Sequence, residues 1–313
     1  MKKITLKAFM IALTLVSTTQ YAHAADFARI ATGTVGGGFY TSGTGVVSVL
    51  NSVKNGVNYS SITGGSIKNL IQLEAGKVEF GFSLTSTLFE AWNGTGPFKQ
   101  PLKKLRYCIA IYPQVAHIIV AKNINSISDL RGKRVDFGPI GGGIDTNARF
   151  ALTAYGIDPE KEINIQRNSR AETAEGFETG TTDAQILLTA YPGAAVFDML
   201  QKGAKLIGVD KEHLDKILHE YPCYVPWTIP ADTYEGYSES IPTYSAFCVM
   251  YASEDLSEEL VYKTVKALVE GTKDLKERGA IFDFFGPENA MAGCSIPLHP
   301  GAERYYKEAG LLK

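Results

Sequence analysis

The chain has 313 residues and a formal net charge of −2, with 45% hydrophobic and 20% charged residues. This near-neutral balance gives no electrostatic footprint for nucleic acid or for an anionic membrane surface. A chain of this length can bury a large core and usually divides into two lobes.

Residues 1–24 have the composition of an export signal. Three lysines precede an apolar run at 8–16, and Ala22-His23-Ala24 is a small-x-small cleavage pattern. Because a membrane span needs about 20 apolar residues, a retained anchor is the less favoured alternative. We expect cleavage after Ala24 and a mature chain in the periplasm, and we see no later apolar run long enough to span a bilayer.

The first part of the mature chain alternates strands with helices. Such alternation predicts a mostly parallel sheet with helices on both faces. Ser66 is a good N-cap for the second helix, and Thr85 or Ser86 caps the third. The predicted strands are 27–31, 57–62 and 78–83, and the predicted helices are 43–53, one beginning at Ser66, and one ending at Trp92.

A second alternating series follows two continuous apolar strands at 106–112 and 115–121. We place one lobe at 25–116 plus 210–313 and the other at 117–209, so the chain crosses twice and the crossings form a hinge. The later predicted strands are 133–137, 162–166, 184–188, 205–209 and 244–251, the helices are 145–155, 171–177, 194–202, 214–220, 257–278 and 300–310, and 221–242 is a connection.

Two glycine-rich loops occupy equivalent places in these series. The stretch Thr32–Gly45 lies between the first strand and the first helix, and Gly138–Gly143 follows the strand at 133–137. Glycine lets a ligand approach the main chain, and a helix start offers unpaired N–H groups that suit an anion. One such loop in each half predicts a ligand held between two lobes.

Ligands of open α/β sheets bind outside the C-terminal ends of the strands. Arg170, near one such end, is a candidate carboxylate clamp, because a guanidinium can grip a carboxylate with two hydrogen bonds. A surface arginine is the alternative, and ordinary packing is the alternative for the tyrosines. The candidate ligand-binding residues are Gly37, Gly38, Phe39, Tyr40, Thr63, Thr85, Ser86, Gly142, Gly143, Ile144, Asp145, Arg170 and Tyr191.

Patterns typical of nucleotide, metal and acyl-transfer chemistry are missing from the sequence. Neither glycine loop reads G-x-G-x-x-G or G-K-[ST], and no G-x-S-x-G elbow occurs. The histidines and cysteines have no metal-site spacing, so we expect no cofactor, no metal and no catalysis. Cys108, Cys223, Cys248 and Cys294 could form a disulfide in an oxidising compartment or stay free thiols.

Several strings of the mature chain match those of a family of transport receptors. The first runs from Thr32 to Gly43, close to the pattern T-G-x-x-G-G-x-Y-Y-P-x-G, and the most specific is 296–306, IPLHPGAERYY. On these strings the chain resembles the TAXI family, the periplasmic solute receptors of tripartite ATP-independent periplasmic (TRAP) transporters. Further matching strings are 63–66 with 69–70, 80–94, 221–222 and 228–234.

The resemblance implies an α/β type II periplasmic-binding-protein fold, with two α/β lobes that close on a small ligand at a hinge. It implies a monomer that delivers its ligand to TRAP membrane permease subunits driven by an ion gradient. Relatives bind glutamate and similar carboxylates, so the resemblance implies a small organic anion as ligand.

The chain departs from the family pattern at the presumed pocket. Gly38, Gly142 and Ile144 stand where hydroxyl residues are usual, and Ser86 stands where the family has an aspartate. Without that carboxylate a ligand ammonium would be left unpaired, which is costly. We therefore expect a dicarboxylate or keto acid such as 2-oxoglutarate. A glutamate-type receptor, a ligand sensor for a membrane signalling partner and a periplasmic enzyme stay open as alternatives.

Overall fold

A computed structural model describes residues 26–140 and 143–312 of the chain. The predicted signal at 1–24 and the candidate residue Gly142 lie outside the described residues. Within them, ten strands form one mixed sheet. The strands are β1 Asp26–Ala31, β2 Val57–Ile62, β3 Phe80–Leu84, β4 Leu105–Val120, β5 Arg134–Asp136, β6 Asn164–Gln166, β7 Ala184–Thr189, β8 Lys205–Ile207, β9 Val225–Ile229 and β10 Ile241–Ser253.

Helices connect most of these strands. Short 3₁₀ turns add Ile127–Leu130, Ala280–Phe282 and Pro287–Asn289. The helices are α1 Gly38–Ser52, α2 Ser66–Glu74, α3 Thr85–Asn93, α4 Gly143–Ala154, α5 Pro159–Glu162, α6 Arg170–Thr179, α7 Ala194–Gln201, α8 Lys211–Glu220, α9 Glu258–Glu270, α10 Thr272–Lys276 and α11 Pro300–Glu308.

The sheet is parallel towards its two ends and antiparallel in its middle. Its main order is β2-β1-β3-β10-β4-β7-β5-β6, with β8 paired to β4 and β9 to β10. β1 lies parallel to β2 and β3, and β5 lies parallel to β6 and β7. The long strands β4 and β10 run antiparallel to their neighbours and join the two parallel ends. The predicted mostly parallel sheet is thus correct for the ends alone.

The buried side chains form separate cores on the two sides of the β4–β10 pair. One pair of cores covers the end with β1, β2 and β3, and the other covers the end with β5, β6 and β7. Neighbouring residues of β10 alternate between cores, with Cys248 and Met250 in one and Val249 and Tyr251 in the other. Since successive strand residues point to opposite faces, both faces of the sheet are covered. The α/β fold class with two halves is confirmed.

The segment after residue 209 packs with the second half. Ile217, Tyr224 and Tyr244 lie in the core of Val135 and Phe137. Helix α8, strand β9 and the first part of β10 therefore contribute to the core around β5 and β7, although they follow the predicted end of the second lobe.

Several predicted element boundaries are wrong. The strands expected at 106–112 and 115–121 are one strand, β4, and the expected connection 221–242 contains β9. The helix expected at 257–278 divides at Gly271, where an added Cβ would lie 2.8 Å from the carbonyl oxygen of Ala267 and from the Val49 side chain. Gly271, the C-cap of α9, therefore allows close contact with α1.

The starts of three helices also differ from prediction. Helix α1 begins at Gly38, so the end of the first glycine loop is its first turn. Ser66 and Thr85 are the first residues of α2 and α3, and neither is an N-cap. Each hydroxyl instead accepts a backbone N–H from another element: Ser66 Oγ accepts from Leu84 at 3.3 Å, and Thr85 Oγ1 accepts from Phe247 at 3.1 Å.

Candidate functional site

Two adjoining cavities lie between α2 and α3 of the first half and α4 of the second. Their volumes are about 750 Å³ and about 310 Å³. We call them the larger and the smaller cavity. They share the lining residues Ile67, Ser86, Glu90, Pro97, Thr146 and Tyr224.

Three helix starts meet at the smaller cavity. Gly65 and Ser66 come from the start of α2, Ser86 and Thr87 from α3, and Gly143 from α4. The N-caps of α2 and α3 form no side-chain cap hydrogen bond. Uncapped helix starts present N–H donors and partial positive charge, so this cavity favours an anion.

Asn69 holds the start of α2 in this position. Its side-chain nitrogen donates to the carbonyl oxygens of Ala31, Thr32 and Phe82 at 3.1, 2.7 and 2.8 Å. Its Oδ1 accepts the N–H of Gly65 at 3.1 Å. A buried amide that joins the ends of β1 and β3 to α2 fixes the helix start against the sheet.

Asn147, one turn into α4, carries an unused donor at the smaller cavity. Its side chain is 2% exposed and lines that cavity. Its Oδ1 accepts from the Tyr244 hydroxyl at 3.1 Å, whereas its Nδ2 has no hydrogen-bond partner among the described residues. A buried N–H without a partner costs free energy, and a ligand oxygen would satisfy it.

The larger cavity has an aromatic wall. The Phe150 ring lies 4.5 Å from the ring of Tyr224 and 4.7 Å from that of Tyr221, measured between centroids. These three residues, with Ile67 and Phe89, line the larger cavity. We call Phe89, Phe150, Tyr221 and Tyr224 the aromatic wall. The larger cavity therefore has an aromatic side, although Glu90, Asp145 and Arg149 also line it.

Glu90 places a carboxyl group at both cavities. It is half-buried on α3 and forms no salt bridge with a described residue. Burial raises the pKa of Glu90 to about 7, because the charged form loses hydration. The group is therefore close to half protonated at neutral pH.

A second carboxylate, Asp145, is neutralised by two arginines. It is buried and accepts from Arg149 at 3.0 Å and from Arg167 at 2.8 Å. Arg167 also donates to the carbonyl oxygen of Gly138, at the start of the second glycine loop. This ion pair joins that loop to α4, and it leaves Glu90 as the unpaired acid of the cavity lining.

Some sequence-predicted residues line these cavities. Ser86 lines both, Gly143 lines the smaller and Asp145 lines the larger. Of the residues predicted at strand ends, one from α3 and two from α4 therefore line the cavities.

The first glycine loop lies outside the lining of both cavities. Phe39 packs edge-on against Phe82 and Tyr112, and Gly38 lies where an added Cβ would be 2.7 Å from the Tyr112 hydroxyl. Gly37 is the N-cap of α1 and Tyr40 is a half-buried residue of its first turn. Ligand contact by Gly37, Gly38, Phe39 and Tyr40 stays a prediction.

The other candidates also lie outside the cavity lining. Thr85 is fully buried, Thr63 and Arg170 are exposed, and Ile144 is half-buried. Tyr191 donates to or accepts from the Thr233 hydroxyl at 2.8 Å and packs against Trp227 and Phe284. The carboxylate-clamp role of Arg170, the first residue of α6, stays a prediction.

Sequence reasoning missed Asn147, Glu90 and Lys68, all of which line the smaller cavity. Each lies at least two residues beyond its helix start, whereas the prediction used only the residues at strand ends. A 3.6-residue helical repeat applied to those starts would have found Glu90, four residues after Ser86. The sequence prediction also missed Arg167, which pairs with Asp145 and lies shortly before the predicted Arg170 in the chain.

The four cysteines are free thiols among the described residues, and Cys108, Cys223 and Cys248 are buried. Burial raises the pKa of Cys294 to about 11. Within 26–140 and 143–312 no group of three or more His, Cys, Asp or Glu residues could hold a metal ion. In the same ranges no helix has both the length and the apolar character of a membrane span.

The fold and site define an α/β protein with a ligand-sized cleft between two halves. Residues 30–310 match the NMT1-like family, and the chain belongs to that family.

Solved structures of periplasmic binding proteins are similar to the chain at low identity. The periplasmic aliphatic sulphonate binding protein SsuA from Escherichia coli is 17% identical, with 90% of this chain and 78% of that chain covered and a TM-score of 0.49. An ancestral arginine-binding protein bound to arginine is 16% identical, with 82% and 97% covered and a TM-score of 0.48. The alkanesulfonate-binding protein SsuA from Xanthomonas axonopodis pv. citri, bound to MOPS, is 16% identical, with 90% and 83% covered and a TM-score of 0.46.

Proposed function

We propose that the protein is a periplasmic solute receptor that binds a small organic anion in the cleft between its two halves. The observation that carries this proposal is the smaller cavity. Three helix starts meet there, and the buried Nδ2 of Asn147 lacks a partner among the described residues. Lys68 adds an exposed positive charge to the same lining. These groups together suit a carboxylate.

The proposed ligand is a dicarboxylate or keto acid such as 2-oxoglutarate. The sequence argument for a ligand without an amino group assumed that the cleft offers no acid in place of Ser86. Glu90 supplies a carboxyl group there after all. A glutamate-type ligand therefore keeps its place as the alternative, with Glu90 as the partner for its ammonium group.

The proposed partners are the membrane permease subunits of a TRAP transporter of the TAXI type, and the receptor is proposed to be a monomer. The sequence motifs that resemble the TAXI family support this proposal. The match to the NMT1-like family, at residues 30–310, covers the same part of the chain. A ligand sensor for a membrane signalling partner would use the same cleft. Neighbouring reading frames that encode large polytopic membrane proteins would favour transport, and a sensor kinase would favour sensing.

Ligand binding is proposed to shift an equilibrium between open and closed forms. The hinge would lie where β4 and β10 pass between the cores. The second lobe, predicted at 117–209, would also take 210–245, since Ile217, Tyr224 and Tyr244 pack in its core. Closure would bring the two glycine loops and Arg170 towards the ligand.

A thermal-shift screen of small organic acids tests the proposal. A ligand at about 100 times its dissociation constant stabilises the folded protein by about 2.7 kcal/mol. We expect at least one carboxylate to raise the melting temperature of the wild type. The same carboxylate should leave the melting temperature of Asn147→Asp unchanged. That variant keeps the oxygen that accepts from Tyr244 and replaces the free N–H donor with a negative oxygen.

Two results would contradict the proposal in different ways. An acid that stabilises the wild type and Asn147→Asp equally would place the anion elsewhere. If no acid in the panel stabilises the wild type, the organic-anion function is wrong.

A further inference from the structure

The two cavities are continuous, and their linings differ in kind. Six residues belong to both linings, among them Ser86, Glu90 and Tyr224. The smaller cavity is lined by three helix starts, whereas the larger one is lined by the aromatic wall together with polar groups such as Asp145, Arg149 and Thr153. A small acid held in the smaller cavity would leave the larger one to water.

We propose that the two cavities form one elongated site for a monocarboxylate with a ring-bearing apolar body. This inference rests on the proposed function and narrows its ligand from a dicarboxylate or keto acid to a ring-bearing keto acid, so that 2-oxoglutarate becomes the competing ligand. The carboxylate lies at the starts of α2, α3 and α4, and the ring lies in the larger cavity against Phe150 and Tyr224. Phenylpyruvate is a keto acid of this class.

The aromatic wall provides the contact for the ring. Phe150 and Tyr221 are half-buried, so part of each side chain stays exposed, and Tyr224, which lines both cavities, lies 4.5 Å from Phe150 between ring centroids. Aromatic pairs prefer offset or edge-to-face contacts at such distances, and burial of a ring removes a large apolar area from water. The larger cavity, at about 750 Å³, is within the usual size of small-molecule sites.

The charges of the larger cavity argue against a second anionic group. Asp145 pairs with Arg149 and Arg167, and Arg149 also pairs with Glu160, so two positive and two negative charges balance in this cluster. Glu90 has no such partner among the described residues and lies at the junction of the cavities. Above its pKa of about 7 Glu90 is ionised, so a diacid that extends from the smaller into the larger cavity would then bring its second carboxylate towards a like charge, and like charges at short range repel.

Glu90 therefore acts as a selectivity residue in this account. It disfavours an anionic tail and leaves an uncharged ring unaffected. Its replacement by glutamine keeps the size of the side chain and removes the charge.

Isothermal titration with pyruvate, phenylpyruvate and 2-oxoglutarate tests the inference. Pyruvate and phenylpyruvate share a head group and differ by one ring. We expect phenylpyruvate to bind the wild type at least roughly tenfold more tightly than pyruvate, because the ring is buried. We also expect it to bind more tightly than 2-oxoglutarate.

Two variants separate the contributions of ring and charge. Phe150→Ala should weaken phenylpyruvate binding by about tenfold and leave pyruvate binding unchanged, which also shows that the variant is folded. At about pH 8.5, where Glu90 is ionised, Glu90→Gln should tighten 2-oxoglutarate binding about tenfold and should change pyruvate and phenylpyruvate binding by equal factors, because their shared head group lies at the same helix starts.

The outcomes distinguish this inference from the proposed function. If pyruvate or 2-oxoglutarate binds as tightly as phenylpyruvate, the ring-bearing ligand is wrong and the organic-anion receptor stands. If Phe150→Ala affects both monoacids equally, the ring does not lie against Phe150 and the inference is wrong. If none of the three acids binds and the wider acid screen also fails, both are wrong.

Discussion

Asn147 and Glu90 line the same smaller cavity but offer a ligand different groups. Asn147 presents a buried N–H donor, and Glu90 presents a carboxyl group that is ionised or protonated according to pH. The donor favours any ligand oxygen, whereas the carboxyl group discriminates between neutral, cationic and anionic neighbours. The chemistry of the cleft therefore depends on residues that lie within helices and not at strand ends.

The raised pKa of Glu90 makes a prediction about stability. The unfolded chain ionises this group near its usual pKa of about 4.3, whereas the folded protein holds the proton to about pH 7. The folded state therefore binds more protons between these values, and its stability falls as pH rises through that window. We expect Glu90→Gln to match the wild type in melting temperature at about pH 3.5, below the unfolded pKa, and to exceed it at about pH 8.

Thermal melts of the two proteins at both pH values measure this effect without ligand. A Glu90→Gln variant that is less stable than the wild type at the higher pH would show that the ionised carboxylate has a stabilising partner.

At the scale of elements, the glycines of α1 serve packing as well as ligand approach. An added Cβ at Gly43 would lie 2.3 Å from the Thr32 Cγ2, and one at Gly45 would lie 2.8 Å from the Phe282 ring. Because Gly43 and Gly45 have no side chain, α1 can lie close to the end of β1 and to the C-terminal part of the chain. The glycine-rich stretch for which we predicted a ligand loop is thus also needed for the close packing of α1.

Gly43→Ala should destabilise the protein by about 1–3 kcal/mol, because the added methyl group overlaps the buried Thr32 side chain. Thr44→Ala, at the exposed neighbouring position, should change stability by less than about 0.5 kcal/mol. Urea unfolding of both variants measures the difference. Equal midpoints for Gly43→Ala and the wild type would mean that α1 can shift without cost.

Sequence patterns predicted the α/β alternation and several residues of the cleft, and their errors have physical causes. Of the residues predicted at strand ends, Ser86, Gly143 and Asp145 line the cavities, because parallel strands and their following helices fix that edge locally. Glu90 and Asn147 depend on how α3 and α4 face each other across the halves. The two strands predicted at 106–112 and 115–121 form the single strand β4, which tolerates Pro113 beside a register shift in its pairing with β10.

At the scale of the whole molecule, the crossing strands and the separate cores define two bodies that share one sheet. Strands β4 and β10 are the continuous elements between them, and the two cavities lie where α2 and α3 face α4. Rotation about these strands would change the volume between the helix starts without disturbing either set of cores. Such an arrangement suits a receptor that signals occupancy by closure.

Small-angle X-ray scattering of the wild type and Asn147→Asp, with and without an acid that stabilises the wild type, tests this account most directly. We expect the acid to reduce the radius of gyration of the wild type, because a ligand that contacts both halves favours the closed form. The same acid should leave Asn147→Asp unchanged. A bound acid that does not alter the wild-type radius, or that contracts both proteins equally, would contradict a cleft that closes on an anion at Asn147.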